Sequence, residues 1–251
     1  MFDEERRDTD CVEIAVVDLP HISNFTDFDA LRMERDVRLR IIRRAYDLNR
    51  PDAVILPGSK NVIGDLEYLR DNGIAAKIEA LANSGNTEII GICGGFQMIG
   101  SAIADPYGLE SDRKAVPALG FLKLTTVLAH EKTLTRVSAN HLESGLAVHG
   151  YEIHHGQTDS SELGPLVEKQ DGSFDGSTSA GGKIWGTYLH GIFDADEFRR
   201  WFIDRLRRRR GLSAIGEARS KYDLEPALDR LADAVRQSLD MNRIYKILGI
   251  A

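Results

Sequence analysis

Three short apolar runs, each followed by polar residues or glycine, limit the folds open to this chain more than any other feature. They are Val12–Val17, Ala53–Leu56 and Glu88–Ile92. Short runs rich in β-branched residues are typical of buried strands. Residues 30–48 predict a helix or a short second strand, and residues 62–82 and 95–103 predict helices. This alternation predicts an α/β fold, in which a mostly parallel central sheet carries helices on both faces.

The later part of the chain divides into a β-rich stretch and a helical tail. Segments typical of strands lie within residues 121–191, and a Gly- and Ser-rich stretch at 170–182 predicts a surface loop. From residue 196 the pattern is helical, with apolar residues at steps of three and four: Leu224, Leu228, Leu231, Val235 and Leu239. We expect one domain over 1–251, with a polar start (1–11), a catalytic core (12–195) and a helical tail (196–251).

The overall charge and the few cysteines exclude several classes of protein. The chain carries 32 basic and 39 acidic side chains, a formal net charge of -7, so a nucleic-acid partner is not expected. With only Cys11 and Cys93, no disulfide framework is expected and a reducing compartment fits. The first residues do not resemble a signal peptide, and no apolar stretch reaches the ~20 residues that span a bilayer. We therefore expect a cytoplasmic protein without a membrane partner.

One basic run stands out against this acidic background. Residues 205–210 contain five arginines, in a segment whose aromatic and leucine residues recur at helical spacing. An amphipathic helix carries its charged residues on the face away from the core. The run is therefore interpreted as the solvated face of a helix.

Cys93 lies between a predicted strand and a predicted helix, in the sequence Gly91-Ile92-Cys93-Gly94-Gly95. Flanking glycines allow strand and helix to pack closely around a sharp turn that presents the side chain at its tip. The adjacent helix N-terminus favours the thiolate, and the N–H of Gly94 can stabilise an oxyanion. Most free cysteines are buried structural residues, but these need no glycines at a strand–helix junction. The pattern predicts a cysteine nucleophile.

A thiol nucleophile needs a base, and His190 is the candidate among seven histidines. It follows an apolar strand-like segment and precedes Gly191, so it is expected at the same sheet edge as Cys93. Spacing alone does not establish contact between the two side chains, and a surface or core histidine is the alternative. Glu152 and His154 share one face of another predicted strand. Without a third ligand at fitting spacing, they predict a pocket wall rather than a metal site.

The residues around Cys93 resemble the nucleophile turn of class I, or triad-type, glutamine amidotransferases. The pattern G-x-C-x-G-x-Q spans residues 91–97, and Leu56-Pro57-Gly58-Ser59-Lys60 is similar to the oxyanion loop of that class. Within the class, the chain is most similar to the C-terminal half of the cobyric acid synthase subfamily. The similar segments are LPHISNFTDFDALR, ILPGSKNVIGDLEYLR, GICGGFQMIG, GYEIHHGQT and GTYLHGIFD. The resemblance implies a flavodoxin-like class I amidotransferase fold.

The resemblance also implies roles for particular residues. Cys93 would be the nucleophile and His190 the general base and acid. N–H groups near Gly58, Ser59 and Gly94 would form the oxyanion hole, and Gln97 would line the glutamine pocket. Most members of the class carry Glu two residues after the histidine, where this chain has Ile192. Asp194 or a backbone carbonyl would then orient the imidazole.

The resemblance further implies partners and cofactors. Glutamine would be the substrate, and cobyrinic acid diamide would accept the ammonia at an ATP-dependent synthetase domain or subunit. ATP and Mg are expected only there, because no G-x-x-x-x-G-K-[ST] phosphate loop occurs in the 251 residues. This chain is expected to hold no cofactor or metal, and alone it should not amidate the acceptor.

Two alternative functions stay open on the sequence. The chain could be the glutaminase subunit of a Mur-ligase-like enzyme that amidates cell-wall lipid II, or a catalytically silent scaffold that binds a synthetase. The segments NFTDF and YEIHHG favour the cobyric acid synthase interpretation over the first. The intact pair Cys93 and His190 argues against the second.

Overall fold

A computed structural model describes residues 10–160 and 162–250 of the chain. Most of the predicted polar start, residues 1–9, lies outside the described residues. The described chain forms two compact units, residues 10–220 and residues 221–250. None of the helices in these residues is long and apolar enough to cross a bilayer.

Strands dominate the first unit and helices form the second. In chain order the strands are β1 Val12–Val17, β2 Ile22–Ser23, β3 Val37–Ile42, β4 Ala53–Leu56, β5 Gly58–Ser59, β6 Glu88–Ile92, β7 Ala102–Ala104, β8 Ala115–Pro117, β9 Thr125–His141, β10 Ala147–Asp159, β11 Val167–Lys169, β12 Phe174–Asp175, β13 Ser177–Thr178 and β14 Ile184–Thr187. The helices are α1 Asp29–Met33, α2 Val62–Asp71, α3 Ile74–Ser84, α4 Gly94–Met98, α5 Asp196–Arg209, α6 Glu225–Ser238 and α7 Met241–Leu248. Short 3-10 helices occupy Phe25–Phe28, Ala45–Leu48 and Ile192–Asp194.

A mostly parallel sheet forms the centre of the first unit, with the strand order β13-β14-β6-β4-β1-β3. Its neighbours pair in parallel from β14 to β3, and only β13 is antiparallel. Every residue of β1, β4 and β6 is buried, as expected for strands covered on both faces. The predicted α/β fold with a parallel central sheet is confirmed.

The local predictions hold with three changes. The stretch 170–182, predicted as a surface loop, contains strands β12 and β13 with the buried residues Asp175 and Ser177, because these strands pair with β11 and β14. Residues 30–48 contain both alternatives, helix α1 and strand β3. The helix predicted over 62–82 is two helices, separated at Gly73, which has the positive φ of 68°. The helix predicted over 95–103 is wrong beyond Met98. There the carbonyls of Met98 and Ile99 accept from the N–H groups of Leu119 and Phe121, so the helix ends and β7 follows.

A second sheet of order β12-β11-β9-β7-β8 stands beside the first, and β10 pairs with β9 as a long antiparallel ribbon. The ribbon touches the central sheet through its backbone. Tyr151 N donates to His190 O at 3.2 Å, and His190 N donates to Tyr151 O at 2.9 Å. Strand β10 therefore lies at the end of β14, beside the edge where the site residues were expected.

The arginine run at the end of α5 is only in part the solvated face that its sequence predicted, since Arg208 and Arg209 are exposed. Arg207 is buried and pairs with Asp36 at 3.2 Å, and Arg205 and Arg209 both pair with the buried Glu88. Asp36, which precedes β3, and Glu88 on β6 supply partners that a helical pattern cannot reveal. For the paired arginines the prediction fails because those partners come from distant parts of the sequence.

The second unit consists of α6 and α7, which confirms helices in this part of the tail. The apolar stripe of the sequence is more than a third exposed at each of its five positions: Leu224, Leu228, Leu231, Val235 and Leu239.

Candidate active site

Cys93 occupies a sharp turn between β6 and α4. Its backbone has φ 50° and ψ -105°, a region that residues with a side chain rarely adopt. The surrounding glycines are needed for the packing, since a Cβ on Gly95 would lie 1.9 Å from the Leu56 carbonyl oxygen of β4. A Cβ on Gly91 would lie 2.5 Å from the Gly95 carbonyl oxygen. Strand and helix thus approach as the glycine pattern predicts.

The Cys93 thiol is buried, with 5% of the residue exposed. Burial raises the pKa of the thiol to about 12, against a smaller lowering by the Gly94 N–H. The expectation that the helix N-terminus favours the thiolate is wrong, because desolvation outweighs the lowering of the pKa by the Gly94 N–H. Sγ donates to the Ile153 carbonyl at 3.7 Å.

His190 follows β14 and is fully buried. Its Nδ1 lies 2.7 Å from Oδ2 of Asp27, and Oδ1 of the same carboxylate accepts from Gly191 N at 3.1 Å. Asp27 is itself buried, in the 3-10 helix Phe25–Phe28 that follows β2. A carboxylate on Nδ1 fixes the ring and its tautomer, leaving the Nε2 lone pair to accept a proton.

Asp194, one of the two groups expected to orient the ring, does not do so. Its Oδ1 has no hydrogen-bond partner among the described residues, while Asp27 occupies Nδ1. Burial, together with the negative charge of Asp27, raises the pKa of Asp194 to about 7. The alternative, a backbone carbonyl on Nδ1, is wrong for the same reason. The group that orients the ring is instead Asp27, which lies 163 residues from His190 in the sequence. The spacing of residues within a motif cannot locate such a partner.

Other residues also contact the imidazole ring of His190. Asn24 Nδ2 lies 3.2 Å from Nε2, and the Tyr151 ring stacks on the imidazole with a centroid distance of 5.2 Å. Gly58 is so close that a Cβ there would lie 3.0 Å from Cε1 of His190. The ring is thus held on several sides, and Gly58 belongs to its surroundings.

A cavity of about 290 Å³ opens on the thiol. The structure brings Cys93, Gly94, Gln97 and Ser59 together around it. A Cβ on Gly94 would lie 2.8 Å from Ser59 N, so the two peptide groups are neighbours. The Ser59 hydroxyl donates to Asp65 at 2.6 Å, which leaves its N–H rather than its Oγ for a ligand.

Gln97 is buried in the wall of this cavity. Its Nε2 donates to the Tyr188 hydroxyl at 3.2 Å, and its Oε1 has no hydrogen-bond partner within residues 10–160 and 162–250. A buried amide oxygen without a hydrogen-bond partner costs free energy. Gln97 therefore offers an acceptor to a polar ligand.

Glu110 and Asn24 also line the cavity, and the sequence did not single out either. Glu110 accepts from Ile63 N at the start of α2, and burial raises the pKa of its carboxyl group. Its position depends on a loop in which Asp105 accepts from three successive backbone N–H groups. One signal could have found Asn24 and Asp27, because both lie in a polar loop after a predicted strand.

The Glu152 and His154 pair forms a wall, as its alternation suggested. Glu152 pairs with Lys169 at 3.0 Å and lies 3.7 Å from His154 Nε2. The His154 ring stacks on Tyr188 with centroids 3.8 Å apart and lines the cavity. Among the described residues, no group of three His, Cys, Asp or Glu side chains could hold a metal ion.

Solved structures share this fold at low sequence identity. A crystal structure of a glutamine amidotransferase superposes with a TM-score of 0.56 at 16% identity, covering 79% of this chain and 99% of that one. The structure of PurLQS from Thermotoga maritima gives 0.54 at 16% identity, covering 74% of this chain and 89% of that one. These likenesses place the fold in the glutamine amidotransferase class.

Within that class, the chain belongs to the CobB/CobQ-like glutamine amidotransferase domain family, whose profile matches residues 13–198. It is 48% identical to cobyric acid synthase of Nitratidesulfovibrio vulgaris, over 96% of this chain and 51% of the relative. It is 45% identical to cobyric acid synthase of Clostridium acetobutylicum, over 95% of this chain and 49% of the relative. The chain is also 48% identical to the bifunctional adenosylcobalamin biosynthesis protein CobDQ of Leptospira interrogans, over 95% of this chain and 28% of the relative. The chain thus spans about half the length of the cobyric acid synthases it matches.

Proposed function

We propose that this chain is the glutaminase part of a cobyric acid synthase, and that it releases ammonia from glutamine at Cys93. The observation that carries the proposal is the buried Asp27–His190 pair at the end of β14, next to β6, which Cys93 follows. The Cys93 N–H donates to the Thr187 carbonyl at 2.8 Å, which fixes the two strand ends together. A nucleophile, an oriented base and a cavity for the substrate are the parts that acyl transfer needs.

The reaction proceeds in two halves. His190 Nε2 takes the proton from Cys93 Sγ, and the sulfur adds to the carboxamide carbon of glutamine. The resulting oxyanion accepts from N–H groups at Gly94 and the Ser59 loop. His190 returns the proton to the amide nitrogen, the C–N bond breaks, and ammonia leaves a γ-glutamyl thioester. Water, activated by His190, hydrolyses the thioester to glutamate and restores the thiol.

The cavity supplies charged groups for the α-carbon of the substrate. We infer that Glu110 accepts from the α-ammonium group of glutamine, because it is an acidic side chain in the cavity wall. Lys60 and Lys132 line the same cavity and offer donors to the α-carboxylate. The unpaired Gln97 Oε1 accepts from a substrate N–H. Acidic and basic side chains around one small cavity favour a free amino acid, whose α-carbon carries both charges, over a peptide.

The ammonia acceptor and the remaining chemistry belong to the other half of the protein. The two cobyric acid synthases are about twice as long as this chain, and their names support cobyrinic acid diamide as the acceptor. ATP and Mg would act in an ATP-dependent synthetase domain or subunit, and this chain would contribute ammonia alone. We place the reaction in the cytoplasm, where a free nucleophilic thiol stays reduced. The names of the relatives give no support to a lipid II acceptor.

The test uses 6-diazo-5-oxo-norleucine, a glutamine analogue that alkylates an active nucleophile with loss of nitrogen. Mass spectrometry should find the adduct on Cys93 and none on Cys11, which is the internal control. Excess glutamine should block labelling, and Cys93→Ala should abolish both labelling and glutamate formation. Labelling that glutamine does not affect would contradict the glutaminase function.

The acceptor is tested separately, by adding the synthetase half of a similar cobyric acid synthase with ATP, Mg and cobyrinic acid a,c-diamide. Amidation should then depend on glutamine and on Cys93, whereas ammonium salts should bypass Cys93→Ala. Amidation by the present chain alone would contradict the proposal that a separate synthetase domain or subunit carries out this step.

A further inference from the structure

One turn of the chain contacts both nitrogens of the His190 ring. Asp27 accepts from Nδ1 at 2.7 Å, and Asn24 Nδ2 lies 3.2 Å from Nε2. The Asp27 N–H donates to the Asn24 carbonyl at 3.0 Å, so the two residues belong to one hydrogen-bonded turn. Because a neutral ring that donates from Nδ1 has only a lone pair at Nε2, the Asn24 amide must be the donor there.

This contact occupies the atom that the reaction needs. The proton of Cys93 has to reach the Nε2 lone pair, but that lone pair accepts from Asn24 in the structure. The thiol is turned to another acceptor, the carbonyl of Ile153, at 3.7 Å. The candidate nucleophile and base are therefore each hydrogen-bonded to other groups.

We propose that Asn24 is a positioning residue that holds His190 Nε2 in the resting enzyme and releases it when glutamine enters the cavity. The inference rests on the proposed glutaminase function. Asn24 lines the same cavity as Cys93, so an oxygen of bound glutamine can accept the hydrogen bond that Asn24 Nδ2 donates to His190. Nε2 is then free to accept the Sγ proton, which links thiolate formation to the presence of substrate.

The backbone of Asn24 allows a clean variant. It has φ 51° and ψ 45°, a left-handed conformation in which glycine is unstrained. Asn24→Gly therefore removes the amide and keeps the turn. Asn49→Gly is the control, since Asn49 also has a positive φ (46°, with ψ -123°), is exposed, and follows a different 3-10 helix, Ala45–Leu48.

The test is alkylation of Cys93 by iodoacetamide without glutamine, in which Sγ bonds to the methylene carbon and iodide leaves. Asn24→Gly should react about fivefold faster than the wild type, which corresponds to roughly 1 kcal/mol for one hydrogen bond. Asn49→Gly should react at the wild-type rate. An unchanged or slower rate in Asn24→Gly would overturn the inference.

Two further readouts separate the positioning role from a general loosening of the fold. The ¹⁵N signal of His190 Nε2 should move towards that of an unbonded ring nitrogen in Asn24→Gly, and in Asn24→Ala if the glycine variant folds poorly. The KM for glutamine should rise severalfold while kcat stays near the wild-type value. An unchanged ¹⁵N signal would also overturn the inference.

The two proposals fail in different ways. If glutamine neither protects Cys93 from the diazo analogue nor is hydrolysed, the glutaminase function is wrong. If both occur but iodoacetamide reacts equally with wild type and Asn24→Gly, only the role of Asn24 is wrong.

Discussion

Asp27 and His190 are 163 residues apart in the sequence, yet the carboxylate Oδ2 lies 2.7 Å from the ring Nδ1. Both side chains are buried, and the same carboxylate accepts from the next backbone N–H, that of Gly191. Ile192 cannot accept from Nδ1, and the carboxylate that does so is Asp27, in the 3-10 helix that follows β2. In the proposed catalytic site, Asp27 would be the third member of the triad.

Removing the charge of Asp27 should reduce catalysis much more than stability. In Asp27→Asn the ring can take the wrong tautomer, so we expect kcat for glutamine hydrolysis to fall by about 10²- to 10⁴-fold. Glutamate release measures the effect, and circular dichroism checks the fold. The control is Asp29→Asn, since Asp29 pairs with Arg32 at the start of α1 and has no contact with the ring. Equal activity in the two variants would mean that Asp27 does not orient the base.

Glu110→Gln tests the recognition of the substrate. In Glu110→Gln, the amide oxygen of the new side chain can still accept from the Ile63 N–H, but the negative charge that would bind the α-ammonium group is lost. A charge-assisted hydrogen bond contributes about 1.5–3 kcal/mol, so KM should rise about tenfold to hundredfold with kcat little changed. Glu67→Gln on α2 is the control, because that carboxylate pairs with Arg113 at the surface. A fall in kcat without a change in KM would contradict the assignment.

The glycine at 95 should be indispensable for packing. A Cβ there would lie 1.9 Å from the Leu56 carbonyl oxygen, and β4 is buried at the centre of the sheet. Backbone has to move in Gly95→Ala, so we expect a loss of about 3 kcal/mol in the free energy of unfolding. Urea unfolding measures it, with Gly181→Ala as the control, since nothing lies within 4 Å of a Cβ at 181. Similar losses in both variants would refute the close-approach argument.

Asp194 should make stability depend on pH. Burial, with the charge of Asp27, raises its pKa from 3.8 to about 7 in the folded state, so the folded protein holds the proton more tightly than the unfolded chain. This contribution is full below pH 3.8 and is lost as pH rises towards 7. Asp194→Asn should therefore lose less stability than the wild type between pH 4.5 and 7.5.

Urea midpoints at the two pH values measure that difference, and Asp112→Asn in an exposed loop serves as the control. Parallel changes in the wild type and in Asp194→Asn would exclude the carboxyl of Asp194 as their source.

The sequence predicted those features that depend on local order. Continuous apolar runs located β1, β4 and β6, and glycines around Cys93 located the sharp turn, because each signal lies within a few residues of its effect. The α/β class followed from the same alternation. The roles predicted for Cys93 and His190 remain proposals.

Contacts between distant segments were beyond the reach of the sequence. Asp27 on His190, Glu110 in the cavity and the partners of the arginine run each join residues far apart in the chain. The predicted lowering of the Cys93 pKa was wrong for a related reason, since the desolvation of the thiol depends on all the residues packed around it. Composition and periodicity encode neither the distant contacts nor this desolvation.

The pairing of Tyr151 with His190 connects the β9–β10 ribbon to the candidate base through the backbone. Peptide groups alone form these two hydrogen bonds, so they do not depend on which side chains stand on the outer face of the ribbon. Substitutions on that face can therefore accumulate while the connection to the residue that carries the imidazole is kept.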